Sequence, residues 1–181
     1  MDLSGKRYNN LNTELKRIFG KKVAKLSIDG GFTCPNRDGK VGFSGCIFCG
    51  ERGAGEFTSR RGSVKEQAIE QIKIIGKKWH TDSYIIYFQN FTNTYAPLDK
   101  LKRLYEEALE LPGVVGLAIA TRPDCLDDEI IKYLKELNAR TFLWVELGLQ
   151  SIHENTSDFI RRGYSLEVYD MVVNKLRNES I

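Results

Sequence analysis

An α/β fold on a parallel sheet, either doubly wound or curled into a barrel, is what this sequence predicts. Three observations carry that expectation. Four short apolar runs rich in β-branched and aromatic residues alternate with four longer segments whose apolar residues recur at three and four. The alternation strand, loop, helix implies right-handed crossovers and a sheet buried on both faces. Polar side chains also gather just after each run, at the C-terminal strand ends where such folds place their active sites.

The first run is Val23 to Ile28, followed by a loop holding three of the four cysteines. A helix is expected over Ser63 to Trp79, because Ser63 and Glu66 have the spacing of a capping box and Ala68, Ile69, Ile72 and Ile75 then share one face. The second run, Tyr84 to Phe88, leads into "QNFTNTY" and a helix over Pro97 to Leu111, with proline in the tolerated first turn. The third, Val114 to Ala120, leads into "TRPDC" and a helix over Leu126 to Leu137, whose acids Asp127, Asp128 and Glu129 sit at the dipole-favoured end. The fourth, Phe142 to Leu147, leads into "ELGLQS" and a helix over Ser165 to Arg177. The chain stops at "NKLRNESI", where a fifth strand is due, and four βα units leave a strand edge uncovered. The expectation is therefore the N-terminal portion of a longer chain.

Composition excludes several classes. With 41% hydrophobic and 28% charged residues among 181, the chain is neither disordered nor membrane-embedded, since no apolar run approaches the roughly 20 residues a membrane helix needs. The opening MDLSGKRYNN lacks a signal-peptide core, so the expected location is the cytoplasm. There thiols stay reduced, and clustered cysteines point to metal binding or catalysis rather than disulfides. Net charge is only +3, but residues 1–62 hold 12 Lys and Arg against 6 Asp and Glu. Lys6, Arg7, Lys16, Arg17, Lys21, Lys22 and Lys25 precede the cysteine loop, and Arg37, Lys40, Arg52, Arg60 and Arg61 lie in or after it. The cations suit either a phosphate-bearing partner or a solvated face, and residues 1–22 read as a basic N-terminal extension.

Cys34, Cys46 and Cys49 lie on the glycine-rich segment "FTCPNRDGKVGFSGCIFCGERG". Thiolates on such a loop can wrap a soft metal centre. Structural zinc wants four ligands, and Cys125, His80 or His153 could be the fourth. Three cysteines without a local fourth equally fit a four-iron, four-sulfur cluster with one iron open to an exogenous ligand.

The loop "CPNRDGKVGFSGCIFC" resembles the cluster loop of radical S-adenosylmethionine (radical SAM) enzymes, with the first cysteine gap lengthened to eleven residues. "VELGLQS" with "NTSDFIRRGYS" is similar to the coproporphyrinogen-oxidase-like and elongator-like branch of that superfamily. "YFQNFTNTYAP" and "ATRPDCL" resemble a bacterial family with this lengthened loop, members of which are linked to modification of the tRNA wobble uridine. The resemblance spans essentially the whole chain. It implies a partial (β/α) TIM-like barrel of the radical SAM type, with about four βα units present and the C-terminal strands missing.

It also implies a 4Fe-4S cluster on Cys34, Cys46 and Cys49, with S-adenosylmethionine on the open iron, reductively cleaved to a 5′-deoxyadenosyl radical. Phe48 would lie by the adenine or merely anchor the loop. Gln89 or Thr92 would take the position that receives the methionine amino group, where most of the superfamily has a Gly-Gly-Glu-like segment. Thr121 and Arg122 would face the same rim, with Arg122 either binding cofactor or substrate or capping the strand through a salt bridge. Gln150 and Arg162 match positions that contact ribose and carboxylate, with Arg161 competing for the second role, because a guanidinium fork suits a carboxylate. Glu146 is a rim residue or a structural one, and Cys125 a packed thiol. The implied partners are tRNA and an electron donor such as flavodoxin or ferredoxin, with no membrane. The implied reaction converts a carboxymethylaminomethyl side chain to aminomethyl. The alternatives are a radical SAM enzyme on a small metabolite or peptide, and a zinc-stabilised RNA-binding module without catalysis.

Overall fold

The computed structural model of the chain describes residues 7–55, 58 and 62–181. Lys6, Arg60, Arg61 and the first six positions of the basic extension lie outside them. Four parallel strands, β1 (Ala24–Ile28), β2 (Tyr84–Phe88), β3 (Val114–Thr121) and β4 (Phe142–Leu147), pair in the order β1-β2-β3-β4. That order decides between the two expected layouts. A doubly wound sheet reverses direction at a switch point, whereas this one winds a single way, as a barrel does.

Residue alternation along the strands separates two faces. Leu26, Ile28, Ile86, Phe88, Leu117 and Ile119 point outward, fully buried beneath the helices. At roughly 1.5–3 kcal/mol for each such side chain, this face is the main source of stability. The helices covering it are α2 (Val64–Gly76), α3 (Leu98–Leu109) and α4 (Asp128–Asn138), with α6 (Leu166–Asn178) closing the C-terminal side of the same core. The capping box at Ser63 forms as expected, while Pro97 and Asp127 serve as N-caps just outside their helices. A single 3-10 turn, Pro123–Cys125, and the short α5 (Glu154–Phe159) shape the loops after β3 and β4.

The inward face is different. Ile85, Ala118, Phe142 and Trp144 meet Leu15 and Phe19 of α1 (Leu11–Phe19), a helix within the stretch read as a basic extension. Asn10 caps it through a bond from Thr13 N, Gly20 ends it at φ 70°, and Phe19 packs edge-on to Phe142 with ring centroids 5.3 Å apart. The helix thereby closes the N-terminal mouth of the sheet's inward face. Further along the same face, Lys25 Nζ of β1 lies 2.8 Å from Glu146 Oε1 of β4. Strands sit about 4.8 Å apart, so on a flat sheet β1 and β4 would be about 14 Å apart. An ion pair spanning that gap fits a sheet curled toward its inner face. Among the described residues, no helix is long and apolar enough to cross a membrane.

Candidate active site

A cavity of about 450 Å³ opens at the C-terminal strand ends. Eleven of the residues singled out from the sequence line it: Cys34, Cys46 and Cys49 with Phe48 on one wall, Gln89 and Thr92 after β2, Thr121 and Arg122 after β3, and Glu146, Gln150 and Arg162 from β4 onward. Arg161, the competitor of Arg162, does not line it, nor do Cys125, His80 and His153. Cys125 is buried at the end of the 3-10 turn, and burial pushes its thiol up to about 12.

The cysteine loop is ordered by its own backbone. Arg37 N and Asp38 N donate to Cys34 O, Val41 N to Pro35 O, Gly45 N to Asn36 O, and Cys49 N to Cys46 O. The eleven-residue insert therefore folds back on itself, and its side chains brace the thiols. Arg37 Nη2 donates to Gly50 O at 2.5 Å and Cys49 O at 3.1 Å, while Asn36 Nδ2 reaches Arg161 O at 2.6 Å and Cys46 Sγ at 3.4 Å. Cys46 is pulled down to about 6, first by the hydrogen bond from the Cys49 thiol and then by the Asn36 amide and the Arg122 and Arg37 charges, against burial. Cys49 is pushed up by the same bond and by burial, so the pair gives up one proton readily and holds the other.

Cys34, Cys46 and Cys49 are half-buried thiols on one cavity wall, with Cys46 and Cys49 joined by a hydrogen bond, a donor set that suits a soft metal centre.

Both arginines already have partners within the protein. Arg122 forms a two-pronged salt bridge with Asp124, both bonds 2.8 Å, and its Nη1 donates to Arg162 O at 2.9 Å and lies 3.9 Å from Cys34 Sγ. This is the strand-capping alternative, extended to the cysteine loop. Arg162 is 3% exposed, and its Nε and Nη1 donate to the carbonyls of Tyr164, Leu149 and Ser151 at 2.6 to 2.9 Å. A full fork to an incoming carboxylate would break those bonds, so what Arg162 holds directly is the turn that carries Gln150. Both guanidinium groups lie over the Tyr164 ring, 4.7 Å from its centroid, and the Tyr164 hydroxyl donates to Gly148 O.

The other candidates are also anchored. Gln89 Nε2 donates to Ala54 O at 2.8 Å, and Thr121 Oγ1 lies 2.5 Å from Thr94 Oγ1. Asn90 beside them is fully buried, bonded to Asp29 and Thr58, and Gly55 is required there because a Cβ would fall 1.5 Å from Asn90 Oδ1. Glu146 accepts from Lys25 and, at 2.5 Å, from Tyr87, while Lys25 lies over the Tyr87 and Trp144 rings at 3.6 and 4.6 Å. Sequence reasoning missed Tyr87, Tyr164 and Asp124, and it counted Lys25 with the basic stretch. The available signal was a lone charge at an inward position in each of two buried strands. Among the described residues, Phe91 (φ 60°) and Gln150 (φ 64°) line this cavity with left-handed backbones, and Arg161 (φ 57°) places its carbonyl 3.4 Å from Cys46 Sγ. Such strain persists where surrounding contacts over-determine it, commonly at functional sites.

A model of the radical SAM superfamily matches residues 33–181. Protein YtqA of Bacillus subtilis (strain 168) is 50% identical over 177 residues, covering 97% of this chain and 55% of that protein. Protein YhcC of Escherichia coli (strain K12) is 34% identical over 177 residues, covering 97% and 56%. The chain thus spans about half the length of these relatives. The solved structure of archaeal Methanocaldococcus infernus Elp3 with an N-terminal deletion superposes with a TM-score of 0.48 at 21% identity, covering 83% of this chain and 34% of that one. With the family match extending over most of its length, from just before the first loop cysteine to its last residue, the chain belongs to the radical SAM superfamily, whose members use a 4Fe-4S cluster and S-adenosylmethionine.

Proposed function

We propose that the protein is a radical SAM enzyme acting on tRNA, converting a carboxymethylaminomethyl group on the wobble uridine to aminomethyl. The bond from nitrogen to the carboxymethyl carbon is broken, that two-carbon unit is released as an oxo acid whose oxygen comes from water, and S-adenosylmethionine is the two-electron acceptor. The observation that carries the reading is the set of three thiols without a fourth, facing a cavity whose far walls are Gln89, Thr92 and Gln150. In this proposal Cys34, Cys46 and Cys49 hold the cluster, which with S-adenosylmethionine supplies reductive cleavage of a sulfonium carbon-sulfur bond and hence hydrogen-atom abstraction. A low-potential carrier such as flavodoxin or ferredoxin delivers the electron.

The protein's own residues bind and orient. Gln89 and Thr92 border the place for an amino group, Phe48 the place for the adenine, and Gln150 the place for the ribose, on a turn that Arg162 fixes. Thr121 and Arg122 complete the rim, Arg122 by joining Cys34 to the Arg162 backbone. The carboxylate of Glu146, held by Lys25 and Tyr87, faces the cavity from the inward side of the sheet.

Substrate class rests on charge and on the accessibility of an unpaired base, which can be splayed into such a cavity. The cations Lys16, Arg17, Lys21 and Lys22 lie on or just after α1, at the end of the sheet opposite the cavity. Strands of five to eight residues separate the two ends by only about 17–26 Å, a span a folded RNA covers. That same separation favours, as a second reading, a small metabolite or peptide that needs no distant cations. Comparing tRNA nucleosides with and without the gene tests the proposal. Loss of the aminomethyl wobble uridine is expected, and an unchanged profile rejects the tRNA substrate. Anaerobic reconstitution is expected to give iron, sulfide and 5′-deoxyadenosine formation, whereas about one zinc and no iron would favour the non-catalytic module.

A further inference from the structure

The insert between Cys34 and Cys46 contributes a side chain aimed at a proposed cluster ligand. Asn36 is 6% exposed although it lies in a loop, and its Nδ2 is the donor in two bonds, to Arg161 O at 2.6 Å and to Cys46 Sγ at 3.4 Å. Space for its carboxamide depends on Gly42, where a Cβ would lie 2.6 Å from Asn36 Oδ1. Cys46 Sγ itself lies 3.4 Å from Arg161 O, to which the free thiol donates. Once Cys46 ligates iron it has no proton to give, so sulfur and carbonyl become two acceptors in contact. A carboxamide nitrogen carries two hydrogens. Set between the two, it satisfies both.

We propose that Asn36 is a positioning residue for the cluster. Its N–H···S bond holds Cys46 and stabilises the added negative charge of the reduced cluster, and its bond to Arg161 ties the cysteine loop to the segment carrying Arg162. Hydrogen bonds to cluster sulfurs raise the reduction potential, and partners of metal ligands tune the site through such contacts. The inference rests on the proposal that the three cysteines hold a cluster.

The test uses anaerobically reconstituted protein with Asn36→Asp, nearly the same size but with an oxygen in place of the donor nitrogen, and Asn36→Ser, which removes the amide without adding charge. Iron and sulfide content, thermal melting, and the reduced fraction at a fixed ambient potential by electron paramagnetic resonance are measured. Asn36→Asp is expected either to lose the cluster with its melting transition intact or to show a reduced-to-oxidised ratio about tenfold lower, equivalent to about 59 mV for one electron. Asn36→Ser is expected to show a smaller fall in the same direction. Both variants loading iron with an unshifted reduced fraction overturn the role of Asn36 alone. Loss of the melting transition in both also overturns it, because the residue then serves the fold. Wild-type protein that takes up no iron and sulfide removes the cluster reading itself.

Discussion

Replacing Lys25 with methionine tests whether the sheet curls as described, because that ion pair joins the first strand to the last. Nζ and Oε1 are 2.8 Å apart, with the side chains 20% and 33% exposed. At an effective dielectric near 20, attraction at that separation is roughly 6 kcal/mol, and withdrawing two ions from water offsets several kcal/mol of it. About 2 kcal/mol of net coupling remains. Lys25 also lies over Tyr87 and Trp144, worth about 1 kcal/mol together. Lys25→Met is thus expected to cost about 3 kcal/mol, lowering the melting temperature by roughly 6–12 °C at 2–4 °C per kcal/mol. Glu146→Gln keeps a partner for the Tyr87 hydroxyl and is expected to cost about 2 kcal/mol. The double variant should cost about 3 kcal/mol rather than about 5, because the second change removes a partner already lost. Urea and thermal unfolding of the apoprotein, followed by circular dichroism, give all three values. Single costs that sum to the double within about 0.5 kcal/mol would refute the pairing and the curvature inferred from it.

Leu15→Ala is expected to cost about 2–4 kcal/mol, since Leu15 is 3% exposed against Ile85 and Ala118; unchanged melting would show that α1 is a dispensable extension. In the apoprotein, alkylation at Cys46 should rise with pH to half its maximum near 6, as the thiolate forms, while Cys125, pushed up to about 12, stays inert at neutral pH. Peptide mapping after a short iodoacetamide pulse reads both, and equal labelling at pH 6.5 rejects the assignment. Arg162→Lys cannot keep three carbonyl bonds and is expected to lose about 2 kcal/mol of stability and to bind S-adenosylmethionine more weakly. Equal melting and equal affinity by calorimetry contradict its role in holding the Gln150 turn.

The elements most legible in the sequence were those set by neighbours a few residues apart. Ser63 with Glu66, Asp127 with Ile130, and Ser165 with Val168 make caps within three residues, and the helices start where those spacings indicate. The α1 helix was legible by the same rule, through Asn10, the spacing of Leu11, Leu15 and Ile18, and Gly20, but its charges drew the reading toward a solvated extension. At the site, the family resemblance named eleven residues that line one cavity, yet it did not show which donors were already committed.

By itself, then, the sequence determined the alternating strands and helices, the capping box at Ser63, the gathering of polar residues after each strand, and the three thiols, because periodicity, capping and motif spacing are local properties. Tertiary structure alone decided that the sheet winds one way, that Lys25 faces Glu146 inside it, that Arg162 grips three carbonyls, and that the insert returns Asn36 to Cys46 and Arg161. The reason is physical. Lys25 and Glu146 are 121 residues apart, and Asn36 and Arg161 are 125 apart, so these partners meet only once the strands between them have paired and curled.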